Sequence, residues 1–200
     1  MNSTDPKTMQ AVIDFILELD QLKAVTRKTR PLGLERYENS AEHSWQIALF
    51  AFSLEPYATE PVDLNRVIRM LLVHDIGEID TGDTIVFAEH GWEERKAAER
   101  VAVERIFGHL PKPQSQELLD CWLEFEEEQT PEARFANAVD RAMPALLNLN
   151  NHGQSWRENG ISYERVVQRI GPQIERGCPA LWHYMQARLE DARDQGWFSA

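Results

Sequence analysis

The chain predicts an all-α fold, a compact single-domain bundle of seven to eight helices spanning residues 1–200. Three observations lead there. Apolar residues recur at helical spacing almost throughout, and no stretch alternates apolar with polar residues as a half-buried strand does. Connections marked by Pro and Gly are short, and no internal repeat is present. A hydrophobic content of 42% supplies a core for a chain of 200 residues, and 27% charged residues suit its surface.

The first helix is expected from about Pro6 to Val25, capped by Thr4 or Asp5, with Met9, Val12, Ile13, Ile16, Leu19 and Leu22 as its apolar stripe. A loop punctuated by Pro31 and Gly33 follows. Residues 23–36 hold five basic side chains, Lys23, Arg27, Lys28, Arg30 and Arg36, against the single acid Glu35. Such a segment reads either as a solvated loop or as a phosphate-binding element. The second helix starts near Ser40, carries Trp45, Ile47, Phe50, Ala51 and Leu54, and stops before Pro56. Asp63 caps the third, whose apolar run leads into His74 and Asp75 before it ends between Gly77 and Gly82. Residues 83–91 connect to a fourth helix bearing Trp92, Ala97, Val101, Val103 and Ile106, which stops at Gly108 and the Pro111/Pro113 pair. The fifth spans about Gln114 to Glu128, and its acidic end (Glu124, Glu126, Glu127, Glu128) reads as a solvated terminus. The sixth runs from Thr130, a cap followed by Pro131, to about Asn151. Two more, at about 160–176 and 179–195, follow the motif-bearing part, which covers about 10–150.

A net charge of −12 argues against nucleic-acid polymers as partners, because they are bound by cationic surfaces that displace counterions. The cysteines Cys121 and Cys178 follow no metal or redox spacing, which points to a reduced compartment. The first residues are polar, without a basic-then-apolar leader, and no apolar run reaches membrane-spanning length. A cytoplasmic protein without a membrane partner is expected. The six tryptophans are scattered through the helices and read as packing or subunit-contact residues rather than as a stacking platform.

The chemistry is expected at His74 and Asp75. They lie at the end of an apolar helix, where an unpartnered carboxylate is costly to bury. His43 and Asp140 are also flanked by apolar neighbours on their own helices. Two imidazoles and two carboxylates from three helices form a candidate site for one divalent ion: manganese, iron, cobalt, nickel, zinc or magnesium. Four ligands would close a tetrahedral zinc site, whereas a six-coordinate ion would keep positions for water and substrate. Glu78, four residues after His74 and three after Asp75, projects from the same face and suits a general acid/base. Asp83 follows Gly82 in a loop, where it is placed for proton transfer or for a sugar hydroxyl.

Arg27, the segment Glu38-Asn39-Ser40-Ala41-Glu42-His43-Ser44, then His74-Asp75-Ile76-Gly77-Glu78 with Gly82-Asp83, then Asp140, together resemble the HD-domain metal-dependent phosphohydrolases, and their 5′-deoxynucleotidase branch in particular. The separations, 31 residues from His43 to His74 and 65 from Asp75 to Asp140, fit that family. The resemblance implies an all-α HD-type fold, a homodimer, and an ion held by His43, His74, Asp75 and Asp140. It implies that Glu78 handles the attacking water or the leaving-group proton, that Arg27 holds phosphate, and that Asp83 lies on the substrate side. The substrate implied is a small phosphorylated molecule, a nucleoside 5′-monophosphate. Lys28 departs from the aromatic residue that the branch carries after the arginine; an amine adds charge to substrate binding but cannot stack or exclude water. Two alternatives have their own signatures. A non-catalytic metal- or nucleotide-binding module would retain the ligands without turnover. A di-iron oxygenase would need further histidines, for which only His90 and His109 are available, and both read as surface residues.

Overall fold

A computed structural model describes residues 5–88 and 90–199. Ten α-helices follow one another among these residues: α1 Pro6–Leu19, α2 Ser40–Leu54, α3 Leu64–Val73, α4 Glu78–Thr81, α5 Trp92–Phe107, α6 Lys112–Glu127, α7 Pro131–Asn150, α8 Gln154–Glu158, α9 Tyr163–Gly177 and α10 Pro179–Asp194. Eight of them are the helices read from the sequence. The additions, α4 and α8, are one-turn pieces too short to show a period. Among the described residues the extended pairing is limited to an isolated antiparallel bridge between Thr26 and Asn39.

Helix starts follow their caps. Asp5 accepts from the Lys7 amide at 3.2 Å, while Thr4, the other candidate cap, lies outside the described residues. Asp63 and Thr130 cap α3 and α7 as expected, and Asn39 and Glu42 form a reciprocal capping box at the start of α2. Each such cap contributes about 1 kcal/mol.

α7 is the central helix and packs against α2, α3, α6, α8, α9 and α10. Its sequence explains this: Ala133, Phe135, Ala136, Ala138, Val139, Ala142, Ala145, Leu147 and Leu149 are all buried, so the helix is apolar around most of its circumference. Small residues also allow close approach. A Cβ on Gly177 of α9 would lie 2.3 Å from the Arg134 carbonyl oxygen of α7. α3 contributes Val67, Met70 and Leu71 to the core around α7, and Val73, just beyond them, to a second core with Phe15, Val103, Ile106, Phe107 and Trp122. His74 and Asp75 therefore emerge where the two cores meet.

The apolar stripe of α1 differs from expectation. Phe15 is buried, with Val12 and Leu19 packed beside it, while Met9, Ile13, Ile16 and Leu17 are exposed. The helix lies against the α5–α6 core along one line, so only residues at that spacing are covered. Trp45 is likewise exposed, whereas Trp122, Trp156 and Trp182 are core residues. Cys121 and Cys178 are buried free thiols. Among the described residues, no helix is long and apolar enough to cross a membrane.

Candidate active site

Local structure aims each candidate side chain. At the end of α3 the backbone tightens into i→i−3 bonds, Ile76 to Val73 at 3.2 Å and Glu78 to Asp75 at 3.0 Å, which carry the chain into α4. His74 Nδ1 donates to the Leu71 carbonyl at 2.9 Å. A carbonyl can only accept, so the proton is fixed on Nδ1 and the ring presents Nε2 to the site. The Trp122 indole donates to the His74 carbonyl at 3.1 Å, and the Phe125 ring centroid lies 5.0 Å from the imidazole. His43 sits in the second turn of α2, and Asp140 is midway along α7. Pro144, one turn after Asp140, has no amide to bond the Asp140 carbonyl, which loosens the helix beside the candidate ligand.

The structure brings the four candidate ligands together. One ligand atom each from His43, His74 and Asp75 lie within 4.8 Å of one another. Asp140 Oδ1 completes the set from the histidine side, 2.9 Å from His43 Nε2 and 3.5 Å from His74 Nε2. Asp75 Oδ1 lies 2.9 Å from His74 Nε2, yet that buried nitrogen has no hydrogen bond of acceptable direction. Two carboxylates crowding an imidazole nitrogen at poor hydrogen-bond angles fit a shared cation better than a proton. The nitrogen and oxygen set suits a divalent ion.

Electrostatics agree with the geometry. Burial would raise the pKa values of Asp75 and Asp140, but the histidines and neighbouring arginines outweigh it: His74 and Arg27 bring Asp75 to about 2, while His43, His74 and Arg141 hold Asp140 well below its usual value. His74 moves the other way, raised above the ordinary imidazole range by Asp75 and Asp140 against burial, so positive charge is favoured at this point. Burial and then Arg27 lower His43 to about 4, keeping it neutral and able to ligate.

Arg27, Glu78 and Asp83 surround the four. Glu78 Oε2 accepts from Ser40 Oγ at 2.7 Å. Arg27 Nη1 donates to Asp75 Oδ2 at 2.8 Å and lies 3.7 Å from Asp83 Oδ1, while its Nε lies 3.5 Å from Glu38 Oε2. Burial opposes the Arg27 charge, but Asp75, Asp83, Glu78 and Glu38 together outweigh it and raise the pKa. Lys28 is exposed at the mouth of the adjoining cavity. Glu38, Ser40 and Arg141 carry no assignment from the sequence. Glu38 is 2% exposed, with Oε1 3.9 Å from His43 Nδ1, so it backs a candidate ligand. Its place in the motif segment, two residues before Ser40, was the available signal. Arg141 lines the cavity beside Asp140, which is 6% exposed.

The cavity opens to solvent and has Arg27, Glu78, Asp83 and Asp140 at its polar end and Ile85, Phe87, Trp92, Pro144, Trp156 and Ile170 among its apolar walls. Trp92, read as packing, is thus a cavity wall, and the C-terminal helices α8 and α9 contribute Trp156 and Ile170. Side chains from α5 and α9 tether the loop over it: Trp92 donates to the Ala88 carbonyl at 2.8 Å, Arg169 to Val86 at 3.0 Å and Arg165 to Phe87 at 2.7 Å. His90 is exposed and His109 pairs with Glu18 at 2.8 Å; neither borders the cavity. The acidic end of α6 is held in ion pairs, Glu124 with Arg66, Glu126 with Lys96 and Glu128 with Arg176.

Comparison with known proteins places this site in a family. A crystal structure described as a predicted metal-dependent phosphohydrolase from Magnetospirillum magnetotacticum MS-1 is 40% identical, covers 97% of this chain and 100% of its own, and superimposes with a TM-score of 0.89. A Pyrococcus horikoshii OT3 protein shares the fold at 22% identity and a TM-score of 0.60, covering 90% of this chain and 97% of its own. A 5′-deoxynucleotidase of Xenopus laevis is 29% identical over 81% of this chain and 74% of its own length. Its human counterpart is 27% identical over 66% of this chain and 64% of its own. The model of the HD domain matches residues 19–182, which includes α8, α9 and the start of α10 as well as every motif residue. The chain belongs to the HD-domain family.

Proposed function

We propose that the chain is a metal-dependent phosphomonoesterase that hydrolyses nucleoside 5′-monophosphates, deoxyribonucleotides among them. One observation carries this reading: two histidines and two carboxylates from three helices meet at the polar end of a cavity, with the Glu78 carboxyl beside them held by Ser40. His43, His74, Asp75 and Asp140 are the proposed ligands of one divalent ion, with manganese, cobalt, iron, nickel, zinc and magnesium as the candidates. When bound, such an ion supplies Lewis-acid chemistry, polarising a phosphoryl oxygen and making water a stronger nucleophile at neutral pH. Glu78 takes the proton from the attacking water or returns one to the leaving hydroxyl, and Ser40 fixes its Oε2. Arg27 binds phosphate through the edge not turned to Asp75, the paired-donor geometry for which guanidinium is suited. Asp83 lies on the substrate side, and the apolar walls take the sugar and base. Lys28 at the mouth adds charge where an aromatic side chain would screen the sugar. The names of the relatives, hydrolases acting on 5′-deoxynucleotides, support the nucleotide class.

Phosphate release from 5′-ribo- and 5′-deoxyribonucleotides, on metal-stripped protein re-supplied with each candidate ion, tests this. Release is expected only with metal, and Asp75→Ala is expected to abolish both metal retention and turnover. Full activity in that variant would sink the proposal. Tight nucleotide binding without turnover would favour a binding module instead.

A further inference from the structure

Each of the two candidate ligand carboxylates turns one oxygen toward the imidazoles and the other toward an arginine. Asp75 places Oδ1 2.9 Å from His74 Nε2 and Oδ2 2.8 Å from Arg27 Nη1. Asp140 places Oδ1 2.9 Å from His43 Nε2 and Oδ2 3.7 Å from Arg141 Nη1. Two guanidiniums thus flank the ligand group, one on the segment before α2 and one on α7, and both border the cavity.

They are not equivalent. Arg27 is committed to Asp75, with Glu38 and Asp83 close by. Arg141 stands beyond hydrogen-bond distance of Asp140. Among the described residues it has no other carboxylate contact and no side-chain hydrogen bond. Its side chain is 26% exposed, so a guanidinium with five N–H donors faces the cavity largely unused. On the far side it meets like charge. Burial and then Arg141 lower the pKa of Arg169, whose guanidinium lies over Trp92 and donates to the Val86 carbonyl. A positive group between Asp140 and another arginine, open to the cavity, has the chemistry to receive an anion.

We infer that Arg141 is a second phosphate-binding residue, which holds the doubly charged group of a phosphomonoester from the Asp140 side while Arg27 holds it from the Asp75 side. Two guanidiniums reward the second negative charge of a monoester, so diesters are disfavoured. The inference rests on the phosphohydrolase reading above, and deepens it by adding the residue that selects the charge state of the substrate.

The test uses manganese-loaded protein and inorganic phosphate as the probe, followed by titration calorimetry, with Arg141→Gln and Arg141→Lys beside the wild type. Losing one charge-assisted contact is expected to weaken phosphate binding about 10- to 100-fold in Arg141→Gln. Arg141→Lys should recover part of that loss. KM for a nucleoside 5′-monophosphate should rise by the same factor, and manganese affinity should not change. Unchanged phosphate affinity in both variants would overturn the inference. So would a loss of manganese affinity with normal phosphate affinity in the loaded protein, because Arg141 would then only position Asp140. If the wild type released phosphate from no monoester, yet bound inorganic phosphate through Arg141, the hydrolase reading alone would fail. Absence of any phosphate binding by the loaded wild type would overturn both.

Discussion

Buried at the start of α4, hydrogen-bonded by Ser40 and close to Asp75 and Asp83, the Glu78 carboxyl is pushed from an ordinary 4.5 up to about 9, by burial first and by the two aspartates next. A carboxyl whose pKa is raised on folding leaves the native state binding more protons than the unfolded chain between those two values. Stability contributed by the protonated form is then lost as pH climbs through that window, about 4.5 to 9. Glu78→Gln keeps the shape and the acceptor for Ser40 but cannot ionise. In metal-stripped protein the variant is expected to be more stable than the wild type at the alkaline end, with a flatter denaturation-midpoint profile against pH. Re-supplied with metal, it should lose about 10²- to 10⁴-fold in kcat, the scale of a missing general acid/base. Equal pH profiles for the two proteins would remove the electrostatic account, and undiminished turnover would remove the catalytic one. This residue was legible in the sequence because its relation to His74 and Asp75 is local: three and four residues survive even the change from α3 to a tighter turn. The role of Glu38 was not, because it depends on a backbone pairing that runs Arg27 beside Glu38 and so turns that carboxylate toward His43.

At the scale of elements, the turn carrying these groups is positioned by contact with α5. Gly77 has an ordinary φ of −59°, so its lack of a side chain is not a conformational matter. Space is the reason: a Cβ there would lie 3.0 Å from the Glu99 carbonyl oxygen and 3.1 Å from the Glu99 Cβ. Gly77→Ala requires Glu99 or the α4 turn to give by a few tenths of an ångström, and with backbone as the nearest atom an overpacking cost of about 1–3 kcal/mol is expected. For a chain of this size that is a fall in Tm of roughly 2–12 °C, readable by thermal denaturation. Activity should fall with it, since Glu78 begins the displaced element; an unchanged Tm would show that the α4–α5 contact is slack. Helix existence was legible from periodicity and caps, as Asp63 and Thr130 illustrate. Which face each helix buries was less so. The six apolar residues read as the stripe of α1 are wider than the one line along which that helix meets its neighbours, and a sequence does not record where a neighbour ends.

For the whole molecule, the candidate ligands couple elements that the chain keeps far apart: α2, the end of α3 and the middle of α7, around which most of the bundle is assembled. The four candidate ligands stood out because each is a polar residue in an apolar helix, whereas the cavity walls from α8 and α9 did not, since Trp156 and Ile170 look like any other core residues until the helices are packed. With the proposed ion bound, the same arrangement would make the fold itself a sensor of it. The site gathers the carboxyl groups of Asp75, Asp140, Glu38, Glu78 and Asp83, and burial raises the pKa of Glu38, Glu78 and Asp83, so a dication would offset a cost of ionisation that folding concentrates. An unfolded chain has no such gathering, and the ion therefore binds the native state preferentially. At a free concentration one hundred times its Kd, that preference amounts to about 2.7 kcal/mol. In a domain of this size it should raise Tm by roughly 5–11 °C. Manganese titrated into metal-stripped protein, with Tm followed by calorimetry, reads this directly. Asp140→Ala should abolish the shift, because it removes the candidate ligand that ties α7 to the histidines, whereas Arg193→Ala, on the exposed end of α10, should leave it intact. A shift of equal size in the Asp140 variant would mean that the ion acts elsewhere on the acidic surface, and the joint between the three helices would have to be explained without it.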